Sequence, residues 1–214
     1  METKTKSLKS IDSKILDRIR ELGRGCVFAP TDFLGLGSRQ AVDIVLHRSA
    51  KAGTIRRLTR GLYDYPRTHP EVGLLAPPIE AITKALAGKN KLRLQPTGAY
   101  AANLLHLSEQ VPAKIDFLTD GNSRTYRIIN RTIRLRRTTP RNMSAAGRTS
   151  GLVIQALRYL GKNHATNDRI ATLRKVLSVS DRKRLMEDMS LAPAWMRPIL
   201  RDVATGRLGR EERL

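Results

Sequence analysis

The chain is poor in cysteine, in aromatic side chains and in acidic groups, and each shortage excludes something. Its one cysteine, Cys26, rules out an internal disulfide and a cysteine-rich metal site, and suits a reducing compartment. Aromatics are 4% of residues against 40% hydrophobic overall, so a buried core is expected to be mostly aliphatic. Acidic residues number 19 against 40 basic ones, for a formal net charge of +21. No apolar run approaches the roughly 20 residues needed to cross a bilayer. The polar segment Met1–Ser10 lacks the apolar core of a signal peptide. These two absences predict a cytoplasmic protein.

Catalytic patterns are also missing. The four histidines, His47, His69, His106 and His164, are scattered, and none has the i, i+4 spacing of a helical metal pair. There is no glycine loop ending in Lys-Ser/Thr to cradle phosphate and no Gly-x-Ser-x-Gly elbow. Asp116 and Asp120 flank a predicted strand end without a Lys or Glu at nuclease-like spacing. Cys26 reads as a small buried hydrophobe rather than a nucleophile. The chain is therefore read as a non-enzyme, with no catalytic residue, metal or cofactor assigned.

The charge itself comes next. The cationic excess is spread evenly: +6 over residues 1–65, +7 over 66–140 and +8 over 141–214. Such a field attracts polyanions with strong salt dependence, and suits an acidic protein partner as well. With 214 residues the chain has room for one large domain or two small ones.

The most informative stretch is Ser38–Pro66. On a helix of about 100° per residue, Ala41, Val42, Val45, Leu46, Ser49 and Ala52 share one small, apolar side. Gln40, Asp43, His47 and Lys51 form the opposite stripe, flanked by Arg39 and Arg48. Ser38 is placed to cap the start, and Gly53 to end the helix. Two β-like runs follow, Thr54–Leu58 and Leu62–Tyr65, joined by Thr59-Arg60-Gly61. Upstream, Ile11, Ile15, Ile19 and Leu22 mark one face of a helix over Ser10–Leu22. Pro30 opens a short second helix, after which Phe33, Leu34 and Leu36 pack inward. Three helices and an arginine-bearing hairpin make a winged helix-turn-helix over residues 1–66. In that arrangement the helix enters the major groove. Gln40 is suited to adenine, Arg39 to guanine or phosphate, Asp43 to cytosine, and Ile44 to a thymine methyl. Ser38, at the groove end, joins them. His47, Arg48 and Lys51 would hold the backbone, and Arg56, Arg57 and Arg60 would reach phosphates or the minor groove.

Beyond Pro66, prolines at 70, 77 and 78 and Gly73 predict an irregular linker over 67–78. A second domain is expected over 79–205. It starts with a helix at Ile79–Ala87 and a strand at Leu92–Gln95, then a buried helix capped by Thr97 and a strand at Ile115–Leu118. A hairpin follows, Arg124–Ile128 with Thr132–Thr138, in which Ile133 and Leu135 face one way and Arg134 and Arg136 the other. That basic face is either simply solvated or a second nucleic-acid surface. Helices at Leu152–Leu160, Ile170–Leu177, Asp181–Met189 and Ala194–Val203 complete it, with Asp181 as an N-cap and Trp195 as a packing anchor. Residues 206–214 read as a flexible tail, and Met1–Ser10 as either a disordered tail or a basic arm. The fold class is α+β.

Several ordered motifs resemble the AbiEi-type antitoxins of type IV toxin–antitoxin pairs. They are Gly61-Leu62-Tyr63-Asp64-Tyr65-Pro66, the run from Leu94-Gln95-Pro96-Thr97-Gly98 to Leu105, and Val111-Pro112-Ala113-Lys114 leading to Leu118-Thr119-Asp120-Gly121. Arg136-Arg137-Thr138 with Pro140-Arg141-Asn142-Met143, and Gly151–Leu157, continue the likeness, which spans about residues 15–200. The resemblance implies a winged helix that binds operator double-stranded DNA and represses its own operon. It also implies a C-terminal domain that counters a cognate nucleotidyltransferase-type toxin, with or without a stable complex. Only the DNA role is carried to residues here. The alternatives are a winged-helix transcription factor with a ligand-sensing or dimerising C-terminal domain, and an RNA-binding protein or cryptic enzyme.

Overall fold

The computed structural model describes residues 10–206, so the expectations for both terminal tails lie almost wholly outside it. The protein is α+β and divides into two compact units, one ending at Leu92 and the other beginning at Arg93.

In the first unit, α1 (Ile11–Leu22) starts where the Ser10 hydroxyl accepts the Ser13 N–H at 3.3 Å. Ile15 and Ile19 are buried, but Ile11 and Leu22, expected on the same inward face, are exposed. The core reaches only the middle turns, and Ile11 lies over Gly37, where a Cβ would come within 3.2 Å of it. Strand β1 (Val27–Phe28) leads to a single 3-10 turn at Pro30–Phe33 in place of the expected second helix. Asp32 closes that turn by accepting the Ala29 N–H at 2.8 Å. Leu34, expected inward, is exposed.

Helix α2 (Arg39–Lys51) then runs as predicted, with the Ser38 hydroxyl accepting the Ala41 N–H at 3.3 Å. The hairpin is β2 (Arg56–Thr59) and β3 (Leu62–Asp64), and β3 sits in the middle of an antiparallel sheet ordered β1-β3-β2. Thr54 and Ile55, expected in the first strand, instead donate their N–H groups back to the Ser49 carbonyl at 3.0 and 3.4 Å. The helix end holds them out of the ladder. Gly61 turns the hairpin at φ 68°, a conformation L side chains rarely adopt.

Four of the chain's nine aromatics, Phe28, Phe33, Tyr63 and the partly buried Tyr65, lie in or against this core. Phe28 meets Phe33 edge-on at 5.4 Å and stacks with Tyr63 at 6.4 Å, among Ile15, Ile19, Val42, Val45, Leu46 and Ile55. The expected irregular linker contains a two-stranded ribbon, β4 (Thr68–His69) with β5 (Gly73–Leu74). Helix α3 (Ile79–Asn90) contacts β1, which is why it groups with this unit and not with the residues that follow.

The second unit holds a four-stranded sheet ordered β6-β7-β9-β8, from β6 (Leu94–Thr97), β7 (Lys114–Thr119), β8 (Arg124–Ile128) and β9 (Arg131–Arg137). β9 lies parallel to β7 and antiparallel to β8. Its alternation is as predicted, with Ile133 and Leu135 buried and Arg134 and Arg136 exposed. Helix α4 (Gly98–Leu104) packs on α5 (Thr149–Leu160), and α6 (Asn167–Val176), α7 (Val179–Glu187) and α8 (Arg197–Thr205) close the helical core.

Trp195 is partly buried against this core. Thr97 occupies the α4 N-cap but makes no cap bond; its hydroxyl donates to Gln155 Oε1 at 2.9 Å. Asp181 is not the α7 N-cap either. Ser178 is, and Asp181, three residues on, returns the bond to the Ser178 N–H, forming a capping box.

Candidate nucleic-acid interface

Helix α2 turns Val42, Val45, Leu46 and Ser49 inward, the last through its hydroxyl on the Val45 carbonyl at 2.8 Å. Ala52, expected on that face, is exposed, because the helix ends at Lys51 and Ala52 only caps it. The outer face carries Ser38, Arg39, Gln40, His47, Arg48 and Lys51 exposed, with Asp43 half-buried. Ile44, at 49% exposure, is the apolar member of this polar surface. Arg39, Gln40, Asp43, Ile44, His47 and Arg48 border one shallow depression along the helix. The aliphatic brace below and the polar ridge above therefore come from one helical period.

The cations are held to different degrees. Arg39 Nε sits 2.9 Å from Asp43 Oδ2 one turn on, and both side chains are about half exposed. A surface pair of that kind stabilises by roughly 0–1 kcal/mol, so Arg39 is easily released to an anion. Arg48 Nη2 reaches Asp12 Oδ2 of α1 at 2.6 Å, again in solvent. Ser38 spends its hydroxyl on the cap, leaving little of it for a base.

On the hairpin, Arg57 and Arg60 are exposed, and the Arg60 carbonyl accepts Lys89 Nζ at 3.0 Å, tying the turn to α3. Arg56 departs from expectation. Register places it directly opposite Asp64, and its guanidinium forks onto that carboxylate at 3.1 and 2.6 Å. A third bond goes to the Leu75 carbonyl at 2.9 Å. Asp64 is fully buried, so Arg56 is a structural counter-ion and not a free phosphate ligand. The only sequence signal was the placement of the two residues symmetrically about the hairpin turn.

The proposed second basic surface is altered in the same way. Arg134 forks onto Asp116 at 2.6 and 2.8 Å, and this holds its proton more firmly than usual. Arg136 lies 3.9 Å from the same carboxylate and keeps 65% of its side chain exposed. Arg93 and Asp120 form a further pair at 2.8 Å, which lowers the carboxyl of Asp120 from its ordinary range. The half-buried Cys26 thiol is pushed up, mainly by burial. Among the described residues, no three His, Cys, Asp or Glu side chains gather where they could hold a metal ion. No helix among them is long and apolar enough to cross a membrane.

Residues 14–185 match the family described as "Family of unknown function (DUF6088)". No curated protein matches the chain. Among solved structures, the RV2827C protein from Mycobacterium tuberculosis is similar at 15% identity and a TM-score of 0.45, over 92% of this chain and 78% of that one.

Proposed function

The chain belongs to this family of unknown function, and we propose that it is a DNA-binding antitoxin whose α2 and β2–β3 hairpin form a winged helix-turn-helix. The observation that supports this most is the exposed row Arg39, Gln40, Ile44 and His47 on a helix braced from behind by Val42, Val45 and Leu46. It is followed directly by a hairpin with Arg57 and Arg60 in solvent. Gln40 and Arg39 are then the base-reading side chains, and His47, Lys51, Arg57 and Arg60 contact phosphates. Arg48 joins them by exchanging Asp12 for a phosphate.

The antitoxin half of the proposal rests on the likeness to AbiEi-type antitoxins. The motif residues Gln95, Tyr100 and Gly151–Leu157 are largely buried, and Thr97 bonds to Gln155 among them. They support a shared fold, so the countering of a nucleotidyltransferase-type toxin is assigned to the second unit as a whole.

The test is co-expression of the full chain with the product of the neighbouring gene, scored for growth, together with a footprint of its own promoter. Wild type should protect the promoter and rescue growth. Arg39→Ala with Gln40→Ala should abolish the footprint and leave rescue intact. Loss of neither defeats the DNA assignment. Failure of wild type to rescue makes the protein a plain regulator.

A further inference from the structure

The second unit contains a cavity of about 370 Å³ whose polar lining is three arginines and one asparagine: Arg141, Asn142, Arg158 and Arg197. The cations come from three places, namely the segment after β9, the last turn of α5 and the first residue of α8. No carboxylate lines the cavity. Elsewhere Arg39, Arg48, Arg56, Arg93, Arg134 and Arg148 each have an acidic partner. Among the described residues, these three arginines have none.

Asn142 is fixed in place. Its amide donates to the Thr138 hydroxyl at 2.9 Å and its oxygen accepts Arg158 Nη1 at 3.4 Å. A smaller recess shares Arg141, Asn142 and Arg158 and leads on to the buried Gln155. The oxygen of Gln155 is already taken by Thr97, so the NH2 is the group it can offer. The rest of the lining, Leu191–Ala194, is mainly apolar.

We infer that this cavity binds a small phosphorylated molecule, its phosphate held by Arg141, Arg158 and Arg197 and its body against Leu191–Ala194. Like charges brought together around one cavity repel, and a phosphate dianion reverses that while matching the guanidinium fork. The volume lies at the lower end of the roughly 300–1,000 Å³ typical of small-ligand sites, larger than a lone ion needs. The antitoxin reading makes no use of this cavity.

The test is calorimetric titration of the full chain with sodium pyrophosphate at constant ionic strength. Saturable binding is expected, weakened at least tenfold by Arg158→Gln and by Arg197→Gln. Arg158→Lys should fall between those variants and wild type. The control Arg124→Gln with Arg127→Gln removes the same sign of charge from β8 and should bind like wild type, with circular dichroism confirming the fold of each variant. Absence of saturable binding, or equal loss in the control, overturns the assignment. So does a 5′-phosphorylated single-stranded oligonucleotide that saturates the site where pyrophosphate does not, because the ligand would then be a nucleic-acid end.

Discussion

Arg56→Ala separates an arginine that holds the fold from arginines that meet DNA. The substitution removes three hydrogen bonds, two to Asp64 and one to the Leu75 carbonyl. It leaves the Asp64 carboxylate, of which 1% is exposed, without its counter-ion. Breaking a fully buried ion pair costs about 3–5 kcal/mol. Arg56 itself keeps 24% of its side chain in solvent, so water replaces part of what is lost, and a cost of about 2–3 kcal/mol is expected. At roughly 4–8 °C per kcal/mol for a unit of this size, the melting midpoint of the first unit falls by on the order of 10 °C or more. The assay is thermal and urea unfolding followed by circular dichroism, with DNA affinity measured below the melt across a salt series. Arg57→Ala with Arg60→Ala should change stability by no more than about 0.5 kcal/mol per site. The double change should instead flatten the slope of log K against log salt by about 2. If Arg56→Ala costs less than about 0.5 kcal/mol and flattens the salt slope like its neighbours, the structural assignment is refuted.

Three further outcomes follow from the same geometry. Gly151→Ala should destabilise the second unit by about 1–3 kcal/mol in urea unfolding, because its methyl would lie 2.7 Å from Gln95 Oε1 and closer still to the Ala145 carbonyl. Gln40→Ala should cost about 1–3 kcal/mol of discrimination at one base pair, read by competition among promoter variants, while leaving affinity for unrelated DNA unchanged. The Asp181 carboxyl is held below its ordinary value of 3.8, first by the Ser178 hydroxyl and then by Thr149. Its folded value is thus lower than its unfolded one, so its stabilisation is present above the ordinary value and is lost as pH falls through the folded value. Urea midpoints of Asp181→Asn should therefore decline less steeply than those of wild type below that ordinary value.

What residues a few positions apart decide was legible along the chain. The period of Val42, Val45, Leu46 and Ser49 set the inward face of α2, and with it the outward row from Arg39 to Lys51. Alternation along β9 likewise separated Ile133 and Leu135 from Arg134 and Arg136. Both are local consequences of backbone geometry, which puts every second residue of a strand, and every third or fourth of a helix, on one side. Less of the site was legible than of the fold. Beyond the symmetric placement of Arg56 and Asp64 about the hairpin turn, the order of residues did not show that Asp64 would claim Arg56, that Asp116 would claim Arg134, or that Arg141, Arg158 and Arg197 would share one cavity without an acid. Those outcomes depend on strand register and on which helix ends meet. The placement of α3 with the first unit and the reduction of Pro30–Phe33 to one 3-10 turn are of the same kind. Composition and periodicity determined that this is a cationic α+β protein with a polar helix face on an aliphatic brace. Tertiary structure decided which cations remain available, because a charge is neutralised by whatever the fold brings within about 3 Å of it, however far away that group lies in sequence.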